Sequence, residues 1–176
     1  DPTGILGNAA TAYVAEEARN WLSKNDIIEL KPLYEAYIKN PLSDNLSRAL
    51  WYHEYAAREF YLDVRWLFIS LALEALINTD SDRSSAQFKE RVPKLGQELG
   101  ISISKSNANY FFAERSKLAH GQKTSLSAAN KALYITMEDI LRKAIKKAIL
   151  DPTFSDFLSN PKQINSRWPI NTNASS

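Results

Sequence analysis

The run Trp66–Ile77, WLFISLALEALI, constrains this chain most: it has one charge, Glu74, and is otherwise apolar on every side of a helix. A helix with no polar face needs cover all round, which predicts the centre of a helical bundle. The run is too short to span a bilayer, and the N-terminus has no basic region followed by an apolar core. With five glycines and few alternating stretches, the rest of the chain reads as helical too, and 176 residues at 44% apolar suit one domain with extensions.

Ser43 or Asp44 can cap a helix that runs without proline or glycine to about Asn78. Leu46, Leu50, His53, Ala57, Phe60, Val64, Leu67 and Leu71 step by four and three along it. One helix of about 50 Å fits this seam, and so do two helices broken near Arg58. Before it, Thr11–Lys24 is amphipathic and reads as a covering helix, and Lys31-Pro32 reads as the opening of a second helix that Asn40-Pro41 ends. After it come helices over Ser85–Leu99, kinked or ended near Pro93, over Asn107–His120 and over Ser125–Leu150. Phe154–Leu158 and Trp168-Pro169 read as a tail docking onto the bundle, and NTNASS as disordered. The expected organisation is an N-terminal helical extension (1–42), a helical bundle (43–150) and a C-terminal tail (151–176). The chain opens on Asp1 rather than methionine, which points to a piece cut from something longer.

Composition removes several classes of function. There is no cysteine, so no disulfide framework and no thiolate metal site, which suits a reducing, cytoplasmic setting, and two histidines argue against zinc. No glycine-rich phosphate loop or nucleophile beside a histidine is present, and no cofactor is expected. The net charge of +2 hides a division: residues 1–82 hold 7 Lys+Arg and 13 Asp+Glu, whereas residues 83–147 hold 13 and 5. A basic half of this kind suits a polyanionic partner such as RNA; acidic helices packed beside basic ones explain it equally well.

The basic half contains NYFFAERSKLAHG, Asn109–Gly121. Phe111, Arg115 and Leu118 share a helical stripe, so Arg115 lies among apolar side chains, and Gly121 is placed to end the helix and let His120 turn back toward it. Glu74 is the one charge on its apolar run and Arg115 the one charge on the Phe111–Leu118 stripe, which predicts that they pair. A guanidinium that grips phosphate oxygens and an imidazole that moves a proton are the parts needed to cleave RNA. Arg48 and His53 have the same spacing with no terminator behind them, and His53 on the apolar seam reads as a hydrogen-bonded core histidine. The competing reading of Arg115 and His120 makes Arg115 a core ion-pair member and His120 an ordinary helix end.

The composite FISLALEALI, QFKERVPKL and FFAERSKLAHG, in this order, resembles the Apea-like branch of the HEPN domain family over roughly residues 44–149. The resemblance implies an all-α HEPN-like bundle that forms a homodimer. In active members it implies a metal-independent endoribonuclease whose catalytic arginine and histidine match Arg115 and His120. Ser116 stands where many active members carry Asn, Asp or His. Glu74 and Ser116 are expected to support the pair and Lys117 and Lys123 to contact RNA. No membrane contact is expected, and a regulatory or antitoxin partner is left open. The alternative from another class is a catalytically silent HEPN-like module that dimerises or binds RNA.

Overall fold

A computed structural model describes residues 24–122 and 127–170; the helix expected over Thr11–Lys24 (but for its last residue), Lys123, the expected helix start at Ser125 and NTNASS lie outside them. The described residues form eight helices and no strand: α1 Lys24–Lys39, α2 Asp44–Arg58, α3 Leu62–Ile77, α4 Ser84–Glu98, α5 Lys105–Ala119, α6 Ala128–Leu150, α7 Pro152–Ser159 and α8 Pro161–Arg167. The fold is an all-helical bundle. Among the described residues no helix is long and apolar enough to cross a membrane.

α3 lies at the centre, packed against α2, α4, α5, α6 and α7. Its Trp66, Ile69, Ala72, Leu73, Leu76 and Ile77 are fully buried, as a helix without a polar face requires. The Trp66 ring stacks on Phe111 of α5 with centroids 4.2 Å apart, and its indole N–H donates to the Phe111 carbonyl at 3.0 Å. Phe88 of α4 continues the stack on the other ring, nearly parallel to Phe111. Such ring pairs add about 1 kcal/mol to what their burial contributes.

Of the two forms open for the Leu46–Leu71 seam, the chain takes the broken one. Glu59, at φ −78° and ψ 140°, ends α2 in extended backbone, and Phe60 and Tyr61 are exposed in the turn. α2 and α3 are then the most extensively packed helix pair. Folding the seam back on itself buries apolar surface within one chain that a single long rod would leave outside.

Two other boundaries differ from expectation. Pro32 sits inside α1, not at its start; the Ile28 carbonyl that loses its partner belongs to a residue 68% exposed, so water can reach it. Pro93 neither ends nor delimits α4, which continues to Glu98. The turn after α4 depends on Gly96: its carbonyl accepts from the Ile101 N–H at 2.8 Å, and a Cβ there would stand 2.8 Å from the Ile101 oxygen.

The tail is built into the core as two short helices. Asp151 and Asn160 cap them, each followed by a proline in the first turn. Phe154, Phe157, Leu158, Ile164 and Trp168 are buried. The clamp is Arg91 of α4, 1% exposed and, among the described residues, in no ion pair. It donates to the Ile77 carbonyl (2.6 Å), Gln87 Oε1 (2.6 Å), Asn165 Oδ1 (2.6 Å), Thr79 Oγ1 (3.2 Å) and the Trp168 carbonyl (3.2 Å). Burial lowers its pKa, Asp80 opposing, yet a guanidinium surrounded by five oxygens stays charged. Arg167 pairs with Glu98 at 2.9 Å and the Trp168 indole donates to the same carboxylate, which completes the attachment.

Replacing Arg91 by alanine strands several buried oxygens and should cost about 3 kcal/mol in urea denaturation. It should also speed amide exchange across α8 before the rest of the bundle; a loss below about 1 kcal/mol would contradict the clamp.

Candidate functional site

α3 and α5 position the site. Four residues beyond the Phe111 that stacks on Trp66, α5 presents Arg115; two turns beyond Trp66, α3 presents Glu74. The expected pair forms: Arg115 Nη2 lies 3.1 Å from Glu74 Oε1 and 3.5 Å from Oε2, with side chains 25% and 13% exposed. The Phe112 ring sits 5.4 Å from the guanidinium carbon. The pair is not a two-pronged fork. Only the longer contact has hydrogen-bond angles, and Glu74 Oε1 and Arg115 Nε are buried without a hydrogen bond. Burial raises the Glu74 pKa, while Arg115 pulls it down. The carboxylate therefore holds the guanidinium in place without using up its donors.

The end of α5 follows the sequence closely. Ser104 caps its start, accepting from the Asn107 N–H at 3.0 Å. Its last residue is Ala119, His120 is the cap, and Gly121 takes a left-handed φ of 75°. The Gln122 N–H bonds the Lys117 carbonyl and the Gly121 N–H the Leu118 carbonyl, both at 3.0 Å, the double closure that a glycine terminator permits. His120 is thereby delivered to the surface. It is exposed, and among the described residues its imidazole makes no hydrogen bond or ion pair, so its turning back to Arg115 as a hydrogen-bonded partner is not seen. The two residues are five apart, about 7.5 Å along the helix axis.

The supporting residues are less free than expected. Ser116, half-buried, turns its hydroxyl back to the Phe112 carbonyl at 3.4 Å. Lys117 is exposed but paired with the buried Glu114, whose hydrogen bond and charge raise the lysine pKa. Much of the basic half is matched in the same way: Lys105 by Glu90, Arg142 and Lys143 by Asp139, and Lys146 by Glu29 of the acidic half. Among the described residues the basic-half cations paired with carboxylates of the acidic half are Lys146 with Glu29, Arg115 with Glu74 and Arg83 with Asp80, so packing of acidic beside basic helices accounts for only part of the charge division. Among the described residues no group of three His, Asp or Glu side chains is gathered as metal ligands.

His53 departs from its expected role. It is half-buried but makes no hydrogen bond among the described residues, and it lines a concavity between α2 and α6 with Glu138 and Arg142. Burial lowers its pKa, Glu138 raising it and Arg142 and Arg65 adding to the fall. Sequence spacing put it on a seam but could not show that α6 would place charges beside it. Neither this concavity nor those at Gly100–Lys105 and at Asn107–Tyr110 includes Arg115 or His120.

Comparison with known proteins returns no match: no family model fits the sequence, and no curated protein or solved structure is significantly similar to the chain.

The raised Glu74 pKa has a defined sign. A carboxyl that is easier to protonate folded than unfolded contributes its stability below the ordinary value of 4.5 and loses it as pH rises through the folded value. In urea denaturation, Glu74→Gln should therefore gain stability relative to the unaltered chain as pH rises above 4.5. A difference that stays flat, or falls, from pH 4 to 7 would contradict the placement.

Proposed function

We propose that this chain is a metal-independent, RNA-cleaving domain that works as a homodimer, with Arg115 binding phosphate and His120 transferring the proton. The observation that carries the reading is the contrast within one helix end: a guanidinium held by Glu74 and Phe112, and an exposed imidazole delivered by the Gly121 turn. The resemblance of the three motif segments to HEPN domains points to the same pair.

In the proposed reaction His120 takes the proton of a ribose 2′-hydroxyl, whose oxygen attacks the adjacent phosphorus. Arg115 stabilises the added negative charge through donors that Glu74 leaves uncommitted. The bond from phosphorus to the 5′-oxygen breaks, leaving a 2′,3′-cyclic phosphate. His120 of the partner subunit protonates the leaving oxygen, so two chains supply base and acid. Glu74 is a positioning residue here, and Lys117, exposed beside Glu114, would add a cationic contact to the RNA backbone.

A second reading, a catalytically silent module that dimerises or binds RNA, is favoured by one observation: the concavities named above lie away from Arg115 and His120.

Purified chain should cleave single-stranded RNA in EDTA, and His120→Ala should lower the rate at least about 100-fold with helicity and thermal midpoint nearly unchanged. Arg115→Ala should lose both activity and about 2–3 kcal/mol, toward the low end for a buried pair because its side chain is a quarter exposed. Cleavage that persists in His120→Ala would remove the proposal, and binding without cleavage by the unaltered chain would establish the silent module.

A further inference from the structure

α1 is fastened to the bundle by one face. Its Leu33 and Ala36 pack against the core, and Lys146 of α6 reaches its Glu29 at 3.2 Å. About a third of a turn away, Ile27, Leu30, Tyr34, Tyr37 and Ile38 form a second apolar stripe, each of them 46–64% exposed. Steps of three, four and three carry it from Ile27 to Tyr37, the spacing of a helix that packs along another helix. Pro32 lies off this stripe, so the hydrogen bond that α1 loses there does not interrupt it. The stripe is also separate from the site, since α1 packs mainly on α6 whereas Glu74 and Arg115 stand on α3 and α5.

Apolar exposure on this scale calls for a cover, and the residues around it decide which. The exposed charges described on α1, Glu29, Lys31, Glu35 and Lys39, balance, so the helix lacks the cationic face that binds a lipid surface or RNA. What remains is a protein surface, and the stripe is complementary to itself. Ile27 and Leu30 make one end aliphatic, and Tyr34 and Tyr37 make the other aromatic. Turned end for end about a two-fold axis at Pro32, it sets Ile27 against the partner's Tyr37 and Leu30 against the partner's Tyr34, so each large ring meets a smaller side chain. Parallel pairing would crowd tyrosine on tyrosine. The antiparallel turn also brings Lys31 within reach of the partner's Glu35; within one chain the two are 4.0 Å apart and mostly exposed, so neither is committed.

We infer that α1 pairs antiparallel with α1 of a second copy of this chain through Ile27, Leu30, Tyr34 and Tyr37. With Ile38 these side chains expose roughly 600 Å² per chain, so two copies cover roughly 1,200 Å², the lower bound for a specific interface. A two-fold contact of this size closes on itself and suits a reversible association, with a Kd on the order of 10 µM. It is distinct from the contact that brings His120 of the partner subunit to the site in the proposed reaction. A chain that uses both contacts builds an assembly of more than two copies.

Sedimentation equilibrium of the full chain tests the pairing. Its mass should rise with concentration through about 10 µM, and Leu30→Glu or Tyr34→Glu, each checked for helicity, should halve the mass at about 100 µM. Ile28→Glu is the control: Ile28 is 68% exposed but off the stripe, so the mass should not change. The chain has no cysteine, so cross-linking reads the orientation. Leu30→Cys mixed with Tyr34→Cys should form a disulfide under mild oxidation, and Leu30→Cys alone should not. His120→Ala should associate as the unaltered chain does, so loss of cleavage and loss of pairing are read independently. A mass that stays at one chain up to about 500 µM, the stripe then being covered by residues 1–23 or by another protein, would overturn the inference. So would a mass that neither glutamate variant lowers, or a disulfide between two copies of Leu30→Cys.

Discussion

The stack of Trp66 on Phe111 fixes the register between α3 and α5, and the site depends on that register. The contact has two parts: ring overlap, which any large aromatic could supply, and an indole N–H donated to the Phe111 carbonyl, which sets rotation and height as well. From those two points α3 carries Glu74 eight residues on and α5 carries Arg115 four residues on, and the two side chains meet at 3.1 Å. The ion pair follows from the apolar core; an ion pair of this exposure could not organise the bundle, because its Coulomb gain is largely offset by desolvation.

The two arginines on neighbouring helices show how the setting decides a cation's use. Arg91 is almost fully buried and spends its donors on carbonyl and amide oxygens from α3, α4 and α8, so it holds the C-terminal helices to the bundle. Arg115 is a quarter exposed and faces one carboxylate in a loose geometry, with its Nε buried and unbonded. The first is a structural clamp, and the second is the cation proposed above to take a phosphate.

Where a residue's surroundings come from its own helix, the sequence was informative. The missing polar face of Trp66–Ile77 specified the central helix, and Gly121 specified the end of α5; the pairing of Glu74 with Arg115 across two helices was legible because each is a charge on an apolar face. Where surroundings come from distant segments, it was not. Arg91 reads as one more basic residue on α4, because its acceptors lie on Ile77, Asn165 and Trp168, and carbonyl oxygens leave no mark in a sequence. The seam from Leu46 to Leu71 carried its period straight through the turn at Glu59–Tyr61, since periodicity records which face is buried and not where the chain folds back. His53 was placed on the correct face, but the charges of Arg65, Glu138 and Arg142 around it depend on how α6 crosses α2.

The central claim is that the end of α5 attacks RNA through the substrate's own 2′-hydroxyl. The most direct measurement is cleavage in EDTA of an RNA whose scissile position carries either a 2′-hydroxyl or a 2′-methoxy group, with the product ends identified by mass. The account predicts 2′,3′-cyclic phosphate and 5′-hydroxyl ends from the hydroxyl substrate and no cut at the methoxy position. Cleavage at the methoxy position, or products ending in a 3′-hydroxyl, would contradict it.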